Sequence, residues 1–315
     1  MTNEEIIKQQ EEFFPQNGGA LKDKEDKRDY QAEDLLIGVD VAIPSFFEGY
    51  SAIKNNWPDM PYKNQENQFS CVGQAWSLYK QILQARDTGE RTELSAKSIY
   101  NPIAKPGIGS YIRDGGMRTV NYGVNKETSV PSWGTEAQVT APFTFTDQLT
   151  KEAHYFKNRV VASVSTQDFG TIARMIFLND GVVSGWNSHC VYFSEYGYRD
   201  SRRYLKTPNS YGTGRDLYFF EGQGDLYSIW TAVDVTNLKM TNKIQLVRAT
   251  GETPIWFLLN GHRYWVFNPQ MMADGVVEQI WDGFAGVKEI SKEELYSYPK
   301  GTVPLSELWK VYISK

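Results

Sequence analysis

Two residue types that could do nucleophilic chemistry together, cysteine and histidine, are scarce in this chain, and each stands in a distinctive context. Of two cysteines, Cys71 lies in NQENQFSCVGQAWS, Asn64 to Ser77, at the start of a helical pattern. A cysteine at a helix N-terminus feels unpaired backbone N–H groups and the positive end of the helix dipole, which favour thiolate over thiol. A thiol nucleophile needs a base. The chain offers three histidines, His154, His189 and His262. His189 has the best setting: it opens an apolar run in GWNSHCVYF, which reads as a strand able to carry an imidazole to an interface. His154 lies in the polar KEAHYFKN, and His262 follows an Asn-Gly turn; both read as surface residues. Asn209, in TPNSYG, could accept an imidazole N–H and so hold its tautomer and orientation. Gln65, six residues before Cys71, could aim its amide at an oxyanion. Cys190 follows His189 and reads as core packing, facing the other side of a strand. A zinc site needs more Cys and His than are present, so no metal is assigned.

Helices and strands must bring these residues together. Val72, Ala75, Trp76, Tyr79, Ile82 and Leu83 recur at spacings of three and four, predicting an amphipathic helix from Cys71 that stops near Gly89. Further helices are predicted at 93–103, at 112–124 with Gly123 as cap, and at 168–181 closed by Gly181. LLIGVDVAI (35–43) and RVVASVS (159–165) read as strands. VVSGW, HCVYFSEYGY, RYLKTPNSYG and DLYFFEG read as an antiparallel sheet. A mostly helical first half and a strand-rich second half predict an α+β protein of two lobes rather than a βαβ repeat. Residues 1–28, charged and polar as in KDKEDKRDY, read as a mobile or loosely docked tail; whether it enters a groove stays open. From about 243 a last unit carries apolar runs around Asn260-Gly261, a hairpin signal. ISKEELYSYPKG then reads as a helix with Ser291 and Glu294 in capping-box spacing.

These residues together resemble the papain-like cysteine peptidases. The family's nucleophile segment reads roughly N-Q-G-x-C-G-S-C-W; here Asn64-Gln65 and Ser70-Cys71 keep the same interval. The family's H-A-V is His189-Cys190-Val191, and its N-S-W-G is Asn209-Ser210-Tyr211-Gly212. LSAKSIYN (94–101), GSYIRDGGMRTVNYGV (109–124) and DKRDY (26–30) resemble further family segments, over about residues 26 to 240. Val72 and Tyr211 stand where the family usually has tryptophan. The resemblance implies a papain-like two-lobe fold, helical left and antiparallel β right, with a peptidase domain over 29–242 and a small accessory domain over 243–315 containing a β-hairpin. It implies a cysteine endopeptidase with Cys71 as nucleophile, His189 as base, Asn209 as orienter and Gln65 at the oxyanion. Tyr211 and the Gly115-Gly116 pair are candidate substrate-binding positions. No cofactor is implied. With only about 25 residues ahead of the domain, the family's long inhibitory propeptide has no expected counterpart.

Two other readings stand beside it. One is a non-catalytic binding or structural module on the same scaffold, such as a phage virion or surface component. It is prompted by FLLNGHRYW (257–265), which resembles a small bacterial and phage module of unknown ligand. The other is a thiol amidase acting on peptidoglycan peptides. A net charge of -5 argues against a nucleic-acid partner. No run of 18 apolar residues suggests a membrane span, and no signal-peptide h-region is visible, so a cytoplasmic site is expected, with polypeptide as the partner.

Overall fold

The structure, a computed structural model, describes residues 2–11, 18–35, 42–212, 216–233, 245–251, 255–259, 262–266 and 288–297. The chain forms two compact units, Met1–Leu35 with Ala42–Asp234, and Leu36–Val41 with Val235–Lys315.

The larger unit opens with α1 (Asn3–Glu11), β1 (Ala20–Leu21) and α2 (Ala32–Leu35), followed by β2 (Tyr50–Ser51) and α3 (Ala52–Asn56). A helical layer comes next: α4 (Cys71–Thr88), α5 (Ala96–Tyr100), β3 (Ser110–Tyr111), α6 (Ile112–Asn121), α7 (Glu136–Thr140) and α8 (Asp147–Tyr155). The strand-rich layer holds β4 (Val160–Ser163), α9 (Phe169–Asn179), β5 (Val182–Trp186), β6 (His189–Phe193), β7 (Glu195–Arg199), β8 (Arg202–Pro208), β9 (Asp216–Phe220) and β10 (Tyr227–Val233). Its strands form two sheets, ordered β4-β10-β5-β6 and β2-β7-β8-β9. The pairs within both are antiparallel. The α+β division into helical and strand-rich lobes is therefore observed. HCVYFSEYGY, read as one strand, splits at Ser194, whose carbonyl takes the Ala52 N–H and whose N–H donates to Lys206; β6 and β7 then enter different sheets.

The spine is α4. It starts at Cys71 and ends on Gly89 in the left-handed conformation, φ 72°, as its pattern predicts. It is not amphipathic, however: every residue from Cys71 to Ala85 is buried. Neighbours surround it, and two of its buried polar groups find partners there: the Gln81 amide oxygen takes the Leu94 N–H at 2.9 Å, and the Ser77 hydroxyl donates to the Gln74 carbonyl. Trp76, Tyr79 and Tyr192 stack in series, with centroids 5.9 and 4.9 Å apart. The Tyr79 hydroxyl donates to the Asn179 carbonyl at 2.7 Å. These contacts join the helical layer to the sheet that carries His189.

The helix after Asp168 ends one residue earlier than its glycine suggests. Asp180 takes the left-handed cap at φ 59°. Its carboxylate receives Arg86 Nη1 at 2.9 Å and the Tyr50 hydroxyl, bonds that offset a conformation usually left to glycine.

Residues 2–11 and 18–35 are not a loose tail. Asn3 donates to the Arg199 carbonyl at 3.1 Å, and Gln10 exchanges hydrogen bonds with the Tyr218 backbone, which seats α1 on β9. β1 pairs in parallel with β3. Asp23 then takes the Arg113 N–H and the Trp230 indole N–H, the latter at 2.8 Å, while Asp29 and Asp26 hold the Arg113 guanidinium. The short polar side chains that suggest solvent in the sequence spend their hydrogen bonds on the domain.

The second unit contains a four-stranded sheet, β13-β12-β11-β14, from β11 (Gln245–Ala249), β12 (Ile255–Leu259), β13 (His262–Val266) and β14 (Lys288–Ile290). β12 and β13 pair antiparallel with Leu259 opposite His262. The predicted Asn260-Gly261 turn, and residues 36–41 of the predicted strand at 35–43, lie outside the described residues. The final helix α10 (Lys292–Ser297) starts with the Glu294 N–H donating to the Ser291 hydroxyl at 3.0 Å.

Gly115 and Gly116, candidates for a pocket border, lie instead on α6 where it meets α4. A Cβ on Gly115 would come within 2.6 Å of Trp76 Cδ1 and Val72 Cγ1, and one on Gly116 within 2.7 Å of Trp76 Cζ2. They are small because a helix packs there, not because a ligand does. Overpacking of this kind costs about 1–3 kcal/mol. A Gly116→Ala chain should therefore unfold at correspondingly lower denaturant, measured against the parent by chemical denaturation.

Candidate active site

Ser70 precedes α4, and its hydroxyl donates to the Gln68 amide oxygen at 2.7 Å. Cys71 follows as the first helical residue, with no solvent exposure. Backbone N–H groups of Cys190, Gly19, Val72 and Cys71 face its sulfur. All favour thiolate, yet burial outweighs them and pushes the thiol up to about 11. The Cys190 amide belongs to the residue after His189, so the start of α4, with Cys71, lies against the start of β6, with His189.

His189 is fully buried. Its Nε2 lies 2.9 Å from Asn209 Oδ1. That oxygen also takes the Ser210 N–H at 2.8 Å, which identifies it as the carbonyl end of the amide. Nε2 must therefore carry the proton, and in the neutral ring Nδ1 is the basic nitrogen. Burial pulls the imidazole down to about 4 against the Asn209 bond, which pulls upward. Tyr211 stacks on the ring at 5.1 Å and 21°. A phenol thus covers the His–Asn bond where the family's pattern has an indole.

Gln65 closes the arrangement. It is 2% exposed. Its backbone N–H donates to the Ser210 carbonyl at 2.7 Å, and its side-chain oxygen accepts the Ser210 hydroxyl. Nε2 donates to the Gln68 carbonyl at 2.8 Å. Because a carbonyl can only accept, this bond sets which end of the amide is nitrogen. One N–H of the NH₂ group stays out of that bond. Gln65, Asn209 and His189 are thus tied through Ser210, a residue the sequence reading left without a role. Cys190 is 2% exposed and shares one apolar cluster with Cys71. His154 is exposed on α8, and the His262 side chain lies outside the described residues. Among the described residues no group of three His, Cys, Asp or Glu side chains could hold a metal.

A peptide already lies over the thiol. Gly18 and Gly19 fill the space between the turns before Cys71 and His189: a Cβ on Gly18 would sit 1.8 Å from the Ser188 carbonyl oxygen, and one on Gly19 would sit 2.1 Å from that of Phe69. The Ala20 N–H donates to the Ser188 carbonyl at 3.0 Å, and the Ser110 N–H donates to the Gly19 carbonyl at 2.9 Å. The N-terminal stretch, whose entry into a groove the sequence left open, lies against the turns that carry Phe69 and Ser188. Its only sequence signal is the diglycine in QNGGA. The strap presents an N–H to the sulfur, not a carbonyl carbon.

By sequence, no protein-family model and no curated protein matches this chain. By structure it is similar to xylellain, a cysteine protease from Xylella fastidiosa, at 21% identity over 68% of this chain and 95% of that one, with a TM-score of 0.55. It is similar to digestive procathepsin L 3 of Tenebrio molitor larval midgut at 13% identity, over 64% and 75%, with a TM-score of 0.52. It is also similar to proCathepsin B S9 from Trypanosoma congolense at 11% identity, over 69% and 86%, with a TM-score of 0.51. The fold is papain-like.

With the strap in place, thiol and imidazole are both neutral near pH 7. Gly19→Ala should unseat the strap, since the added methyl meets backbone that cannot swing aside; at about 1–3 kcal/mol, opening shifts by about 5–150-fold. Alkylation of Cys71 by iodoacetamide should quicken by that factor at neutral pH. In the parent, the rate should climb only as pH approaches 11, while in the variant the climb should move to lower pH.

Proposed function

We propose that this chain is a cysteine peptidase hydrolysing polypeptides through Cys71, His189, Asn209 and Gln65. The observation that carries this reading is the buried bond from His189 Nε2–H to Asn209 Oδ1. It leaves Nδ1 as the basic nitrogen of an imidazole whose strand neighbour, Cys190, turns its backbone N–H towards the Cys71 sulfur.

In the opened enzyme, water reaches the pair and the desolvation that holds both groups neutral falls away. The Cys71 proton passes to His189 Nδ1, giving a thiolate beside an imidazolium. The sulfur attacks the peptide carbonyl carbon, and the oxyanion forms against the Cys71 N–H and the Gln65 amide. As the C–N bond breaks, the His189 Nδ1 proton goes to the leaving amine, and an acyl thioester remains. Water attacks the thioester, with Nδ1 taking its proton, and the thiol returns. Asn209 keeps the ring in one tautomer throughout, and Tyr211 keeps water from its bond.

Peptide hydrolysis tests this directly in the Gly19→Ala background. Cys71→Ala should abolish turnover, and Gln65→Ala should lower kcat by about 10²–10³, the usual loss for one oxyanion donor. A Gln65→Ala enzyme that turns over at the parent rate would remove Gln65 from the mechanism.

The histidine also links closure to pH. Burial in the closed state pulls its pKa down to about 4 from the ordinary 6.5. A state that exposes the ring takes up a proton the closed state refuses, so the closed state loses stability as pH falls from 6.5 towards 4. Cys71 alkylation, corrected for thiolate fraction, should therefore rise over that window in the parent, and the rise should vanish in His189→Ala.

A further inference from the structure

The mechanism uses the thiol of one of the two cysteines in this chain. Cys190 carries the other. Both are free and buried, and both belong to one apolar cluster. Their side chains meet at one interface. Cys71, Ala75 and Leu78 stand at i, i+4 and i+7 of α4 and so share one side of that helix. Ala75 and Leu78 line a small gap together with Cys190. On β6, Cys190 and Tyr192 point to the same face, two residues apart, and Tyr192 stacks on Tyr79 of α4 at 4.9 Å. The side of α4 that begins with Cys71 thus packs on the face of β6 that begins with Cys190.

At the start of both elements the Cys190 N–H turns towards the Cys71 sulfur, and the Cys190 thiol feels the Cys71 charge. By bond lengths, an amide bonded to that sulfur holds the two Cα atoms within about 8 Å. A disulfide spans roughly 4.4–6.8 Å between them, and the gap beside Ala75 and Leu78 gives the Cys190 thiol room to turn. The neighbouring thiol matters because a nucleophilic thiolate is also the form that peroxides oxidise. Without a second thiol it proceeds to sulfinic and sulfonic acids, which thiols do not reverse.

We infer that Cys190 is a resolving cysteine, which captures oxidised Cys71 as a reversible Cys71–Cys190 disulfide. This goes beyond the peptidase reading, since it needs a reactive Cys71 but no substrate. In the opened protein the Cys71 thiolate attacks one oxygen of a hydroperoxide. The O–O bond breaks, hydroxide or alkoxide leaves, and the sulfur, oxidised by two electrons, becomes a sulfenic acid. The Cys190 sulfur then attacks the Cys71 sulfur. The S–O bond breaks, and the hydroxyl leaves as water with the proton of the Cys190 thiol. A dithiol reverses the step and is itself oxidised to a disulfide.

The test exposes full-length Gly19→Ala protein and the parent to hydrogen peroxide and follows thiol content and mass. In Gly19→Ala both thiols should vanish together, with a loss of two hydrogens per chain, and faster than in the parent by the factor seen in alkylation. Peptide mapping should join the Cys71 and Cys190 peptides of one chain, and dithiothreitol should restore both thiols. With Cys190→Ala added, Cys71 should instead gain two or more oxygens and stay lost after dithiothreitol. Should Cys190→Ala fail to fold, the peptide map of Gly19→Ala alone decides between the outcomes. A Cys71 sulfinic acid beside an intact Cys190 thiol, a bridge between two chains, or a Cys71 that alkylates rapidly yet resists peroxide would overturn the inference. No readout requires a peptide to be cut, so the peptidase reading stands or falls separately.

Discussion

One buried hydrogen bond organises the site: the imidazole N–H of His189 on the amide oxygen of Asn209. Buried polar atoms are costly unless paired, so this bond demands that β6 and the end of β8 keep their register. It also demands that the amide of Asn209 face one way, which the Ser210 N–H secures. Ser210 in turn bonds Gln65 through backbone and hydroxyl, and Gln65 and Gln68 brace the turn that ends in Cys71. Segments from three parts of the chain are thereby tied into one polar core, with Tyr211 as its lid against water.

The same burial that makes this network rigid also silences it. A thiol and an imidazole without solvent are neutral, and each is pushed away from the ionised form that chemistry needs. The N-terminal strap adds to that burial where Gly18 and Gly19 pack against the Ser188 and Phe69 carbonyls. Diglycine is the chemical condition for so close a passage.

Much of this was legible in the residues and some of it was misread. The start of α4 at Cys71, its stop at Gly89 and the passage from helix to strand near residue 160 follow from periodicity and breakers. The pairing of His189 with Asn209 could be anticipated from residue type and the family's order. Gly115 and Gly116 could not be placed, because a glycine that admits a ligand and one that admits a tryptophan look alike in sequence. The stripe on α4 suggested one buried face, but Gln74, Gln81 and Ser77 are buried too, and the Gln81 oxygen takes the Leu94 N–H, a partner that only the fold supplies. Residues 2–11 and 18–28 looked solvated because their bonding partners, such as Arg113, Trp230 and Tyr218, lie roughly ninety to more than two hundred positions away.

By itself, then, the sequence determined which atoms are able to react, in what order they come and on which kinds of element they ride, since helix dipoles, strand patterns and side-chain chemistry are local properties. The tertiary structure alone decided what lies on the sulfur, whether the pair is charged, and which glycines admit a neighbour. Those depend on contacts such as Gly19 with Phe69, Ser110 and Ser188. Contacts between segments so distant along the chain arise from burial, and no local pattern encodes them.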